Sequence, residues 1–108
     1  MSEPALALRP TEIAGETRDN DFCVISEQRT VGRIREATER AGFNPGWMWS
    51  ITVPLPIPAW GNGYADTFDE AKAQFKAAWV RFHASLKPHQ IAHWHHHQDA
   101  AAARFSRQ

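Results

Sequence analysis

The clearest regularity in the chain is helical. From Thr67 to Lys87, the residues Phe68, Ala71, Phe75, Ala78, Trp79, Phe82 and Leu86 recur at spacings of three and four, forming a continuous apolar stripe. Lys72, Lys76, Arg81 and Lys87 fall off that stripe. Thr67 followed three residues later by Glu70 is a capping-box pattern. Asp69 and Glu70 place anions in the first turn, and Pro88 ends the element. Burying one stripe does not offset the entropy of ordering its residues, so the helix requires a partner surface.

A period of two supplies that surface. In Trp47–Val53 (WMWSITV), Trp47, Trp49, Ile51 and Val53 alternate with Met48, Ser50 and Thr52, which predicts a strand buried on one face. Upstream, Phe22-Cys23-Val24-Ile25 is a compact β-prone run and Ser26–Arg29 is a polar turn. Thr30–Ala37 then reads as a second strand, with Gly32 and Ile34 on one face and Arg33 and Arg35 on the other. Arg33–Ala41 (RIREATERA) also reads as the first turns of a helix closed by Gly42, and the two readings stay open at that point. Gly42–Gly46 (GFNPG) is a turn signal. Pro54, Pro56 and Pro58 interrupt any ladder, so Pro54–Trp60 is expected to run extended, with a tight turn at Gly61-Asn62-Gly63 before Tyr64.

Residues 89–105 are expected to form a second helix, on a weaker stripe of Ile91, Trp94, Gln98, Ala102 and Phe105. Residues 1–20 scatter a few apolar positions among Pro, Glu, Thr, Arg and Gly, and are expected to be a mostly disordered N-terminal arm. The predicted architecture is therefore α+β. A three-stranded antiparallel sheet is packed by one amphipathic helix (β-β-β-α) and followed by a second, C-terminal helix, with residues 21–105 as a single domain.

Composition narrows the function more than the fold. Twelve Lys and Arg balance twelve Asp and Glu, so the formal charge is zero with His neutral. Such a balance gives little of the counterion-release affinity that drives nucleic-acid binding. The single cysteine, Cys23, excludes an intrachain disulfide and suits a reducing compartment. No stretch approaches the length of a membrane span, and no basic region precedes an apolar leader. A cytoplasmic protein without a membrane partner is expected.

Candidate chemistry is sparse. There is no Gly-rich phosphate loop, nucleophile elbow or paired-carboxylate motif, which points away from an enzyme and from a bound cofactor. Three features remain. Arg33 and Arg35 stand to share the open sheet face with Met48 and Ser50. Such a face can read a DNA groove, or it can be a solvated surface paired with Glu36 and Glu39. The loop from Pro54 to Tyr64 carries Leu55, Ile57 and Trp60, which either expose an apolar patch to a protein partner or fold back over the core. Finally, all six histidines fall between His83 and His97. His89, His93 and His97 follow the i, i+4, i+8 spacing that lets helical neighbours share zinc; the alternative is a His-rich solvated face.

At Thr30–Ile34 (TVGRI), Gly46–Val53 (GWMWSITV) and Gly63–Trp79 (GYADTFDEAKAQFKAAW), the chain resembles a family of small uncharacterised bacterial proteins. These pair a VGRI-type strand and a W-x-W-S-I strand with an EAK-x-x-F-x-x-A-W helix. The resemblance spans residues 21–98 and implies no particular activity. More loosely, three strands followed by a helix opening T-F-D-E-A are similar to plant-type AP2 DNA-binding domains. That likeness implies DNA contact through an arginine- and tryptophan-bearing sheet, although this chain lacks their basic charge and adds a proline loop. The expected function is a small non-enzymatic binding or regulatory module that uses either the open sheet face, with Arg33 and Arg35, or the Pro54–Tyr64 loop, with Trp60 and Tyr64. Sheet-mediated DNA binding and zinc binding by His89, His93 and His97 are the alternatives.

Overall fold

The computed structural model describes residues 6–37 and 46–106. Among them, strands β1 (Leu6–Ile13), β2 (Glu16–Ser26), β3 (Arg29–Ala37), β4 (Gly46–Ile51) and β5 (Asn62–Ala65) precede helices α1 (Phe68–Ser85) and α2 (Pro88–Ser106). The strands pair in sequence order as an antiparallel meander. The α+β class stands, but among the described residues the sheet has five strands rather than three.

Both added strands correct the sequence reading. Residues 6–20 are not a disordered arm. They form β1 and the first half of β2, which run antiparallel from Leu6↔Ser26 to Pro10↔Phe22 and again at Glu12↔Thr17. Ala14 and Gly15, both at positive φ (53° and 82°), close that hairpin. The paired sheet accordingly includes residues well before 21. The second correction concerns Gly61-Asn62-Gly63, which is not a tight turn. Gly61 ends a 3-10 turn at Ala59–Gly61, and Asn62 and Gly63 open β5 opposite Ser50 and Trp49. Gly63 is needed there because a Cβ would stand 2.9 Å from Cζ2 of the Trp49 indole.

The ambiguity at Arg33–Ala41 resolves to strand through Ala37. Residues 38–45 lie outside the described residues, and with them all but the last residue of the turn expected at Gly42–Gly46. The polar turn before β3 is a two-residue loop in which Glu27 and Gln28 both take positive φ (49° and 68°), the geometry that matches strand twist.

Helix α1 matches its expected pattern closely. Thr67 Oγ1 accepts the Glu70 N–H at 3.1 Å. Ala71, Phe75, Ala78, Trp79 and Phe82 are buried. The helix bears on β3, β4 and β5, with Phe75 edge-on to Trp49. After α1, the Lys87 N–H donates to Gln90 Oε1 at 2.8 Å and α2 starts at Pro88, which has no N–H to satisfy. Helix α2 folds back onto α1 through Trp94, whose ring meets Trp79 edge-on at 5.8 Å. It reaches the β2–β3 hairpin through Gln98, which donates to the Thr30 carbonyl at 2.9 Å, and through the Asp99–Arg29 ion pair. The core thus sits between α1 and one face of the sheet.

Candidate functional site

Strand alternation assigns the other face. Gly32 and Ile34 lie buried on the α1 side, so Arg33 and Arg35 project away from it. Register then aligns two cross-strand rows. One runs Arg9, Cys23, Arg33, Ser50, Asn62; the other runs Asp21, Arg35, Met48, Tyr64. The expected neighbours Met48 and Ser50 do flank the two arginines, and Tyr64 follows them at 43% exposure.

Asp21 organises this surface. Its carboxylate accepts Thr11 Oγ1–H at 2.8 Å, Arg33 Nε–H at 2.8 Å and a second, shorter bond from Arg33 Nη2. The fork-to-fork geometry fixes the guanidinium plane. The hydrogen bonds from Arg33 hold the Asp21 carboxyl below the ordinary carboxylate value, against the opposing effect of burial and with help from Thr11. The same bonds raise the Arg33 pKa. Thr11 Oγ1 also lies 3.6 Å from Cys23 Sγ, and Arg35 Nη2 donates toward Met48 Sδ at 3.2 Å. Arg33 is thereby held in place while its side chain keeps 43% of its surface open to solvent. The two rows hold three arginines, Arg9, Arg33 and Arg35, and one carboxylate, Asp21, so they carry more positive than negative charge.

Trp60 is elsewhere. Together with Leu55 and Ile57 it packs against the core, so the loop folds back rather than exposing an apolar patch. Its ring meets Phe82 edge-on at 6.4 Å and carries the Arg81 guanidinium 4.0 Å from its centroid. Of the four candidate residues, Arg33, Arg35 and Tyr64 share a face and Trp60 lies on the helix side.

Five of the six histidines line α2, and His83 is in the last turn of α1. His89, His93, His96 and His97 are exposed and His95 is half-buried. The His93 and His97 rings sit 6.3 Å apart, as their i, i+4 spacing requires. Among the described residues, no group of three or more His, Cys, Asp or Glu side chains is arranged to hold a metal ion. Asp99, the nearest carboxylate in sequence, is committed to Arg29 at 2.9 Å.

Thr11 and Asp21 are the site residues that sequence reasoning misses. Asp21 stands immediately before the β-prone run at Phe22, and that position is its only local signal. No helix among the described residues is long and apolar enough to cross a membrane. Comparison with protein-family models, curated proteins and solved structures finds no match for this chain.

Proposed function

We propose that this chain is a small non-enzymatic binding or regulatory module whose contact surface is the sheet face opposite α1. The observation that carries the reading is the row Arg35, Met48, Tyr64 beside a solvent-facing Arg33 that is already oriented by Asp21. Arg, Tyr and Met are the residue types that enrich protein interfaces, and a guanidinium fixed before binding loses less entropy on contact. The favoured partner is a protein segment with an acidic side chain for the arginines and an apolar one for Met48 and Tyr64. A reducing cytoplasm suits the unpaired Cys23.

Peptides selected from a random display library against the folded protein test this directly. The expected binders are acidic, shift the amides of Cys23, Arg33, Arg35, Met48 and Tyr64, and lose affinity in Arg35→Ala. Binders that map only to the α1 side would remove the proposal, as would a turnover abolished by one polar substitution.

A second reading, duplex DNA across the same face, is favoured by the paired arginines alone. It requires amide shifts at Arg33, Arg35 and Ser50 that weaken steeply as salt rises. Absence of shifts at low salt ends it.

A further inference from the structure

Helix α1 bears on β3, β4 and β5, so the sheet runs out from under it toward β1. Leu6 and Leu8 of β1 face the α1 side there, beside Val24 and Ile34, and Phe75 closes the inner end. These five apolar side chains line a groove of about 220 Å³. Leu8 remains 38% exposed in an edge strand, although its partner Val24 is buried. The wall formed by α1 differs in character. Lys72 and Lys76, one helical turn apart, complete the lining, so the α1 wall of an otherwise hydrocarbon channel is made by two cationic side chains.

We infer that this groove is a binding site for a free aliphatic carboxylate of medium chain length, with the chain against Leu6, Leu8, Val24, Ile34 and Phe75 and the head group at Lys72 and Lys76. Charge complementarity chooses this occupant over a neutral one. Lys72 Nζ lies 3.1 Å from Asp69, which is 90% exposed, and 4.7 Å from the centre of the Phe68 ring. A solvated pair of that kind yields readily to a competing anion. The volume lies below the roughly 300 Å³ at which drug-sized pockets begin, which suits a short chain. The site is on the opposite side of the sheet from Arg33 and Tyr64, and the inference stands independently of the function proposed for them.

Titration of the isotope-labelled protein with octanoate, and separately with 1-octanol, tests it. Octanoate is expected to shift the amides of Leu6–Leu8, Val24, Ile34 and residues 72–76, and to leave Met48 and Tyr64 unmoved. The double variant Lys72→Gln/Lys76→Gln should weaken octanoate roughly fivefold, the scale of exposed charge pairs, and leave octanol unchanged. Leu8→Asp, at an exposed position that spares the fold, should abolish binding of both. The inference is overturned if octanoate leaves the groove amides still. Equal affinity for octanoate and octanol, or a double variant that binds as the parent does, would overturn it equally.

Discussion

Gly32 of β3 and the ring of Phe75 of α1 compete for one volume. A Cβ at Gly32 would overlap Phe75 Cε2 and Cζ, and would stand 2.6 Å from the Ser50 carbonyl oxygen. The glycine is therefore what lets the helix lie flat on the sheet. Gly32→Ala is expected to destabilise the protein by about 2 kcal/mol, the cost of overpacking a filled core. Urea unfolding measures it. Because the Ser50 contact is to backbone, trimming the ring in Gly32→Ala/Phe75→Leu should not restore parental stability.

Acid should find the Asp21–Arg33 pair. The folded pKa of Asp21 lies below its ordinary 3.8, so the native state takes up the proton less readily than the unfolded chain. The stabilisation is full above that ordinary value and is lost as pH falls through the folded one. Asp21→Asn is expected to cost about 1 kcal/mol at neutral pH, a low figure because Arg33 is half-open to solvent. The difference from the parent should shrink on acidification. Denaturant melts across the acid range check it, and a gap that widens toward low pH would contradict the mechanism.

The β2–β3 turn holds two side-chain-bearing residues, Glu27 and Gln28, in left-handed conformations that L-residues adopt at a cost. Asn-Gly is the pair best suited to that geometry. Glu27→Asn/Gln28→Gly should raise stability by about 1 kcal/mol, read as a higher melting temperature with an unchanged backbone spectrum elsewhere.

How far pattern reading reaches is clear from individual elements. Helix α1 is legible because its stripe, cap and first-turn charges all lie within a few residues of one another. β1 is not. Its inward positions Leu6 and Leu8 are apolar, but the stretch includes Pro10 and Arg9, and its pairing with β2 is a tertiary fact. β5 is four residues long, and its Gly63, read locally as a turn residue, is set by the indole of Trp49. The site divides the same way. Alternation alone puts Arg33 and Arg35 on the open face. Thr11 meets Asp21 across a register irregularity between Pro10 and Glu12 that no local signal announces. Trp60 has two fates open to it in sequence, exposed or folded back, and its packing against Phe82 and Arg81 decides between them.

Zinc separates the last alternative. An imidazole pair at i, i+4 can chelate one ion, so the metal reading requires a melting temperature that climbs with zinc. The stabilisation behind that rise would be about 1 kcal/mol when free zinc is roughly five times Kd. His93→Ala and His97→Ala should each remove the increment. An unchanged melt in excess zinc would dispose of the metal reading.

The placement of aromatic residues divides the molecule optically. The chain has five tryptophans and one tyrosine. Trp49, Trp79 and Trp94 are buried in the core, and Trp47 and Trp60 pack beside it against Phe68 and Phe82; Tyr64 is on the opposite face. Native indole emission consequently reports whether the core is intact and is nearly blind to anything that settles on the arginine face. A partner there would pass unseen in a fluorescence screen until Tyr64→Trp moved a fluorophore to that side.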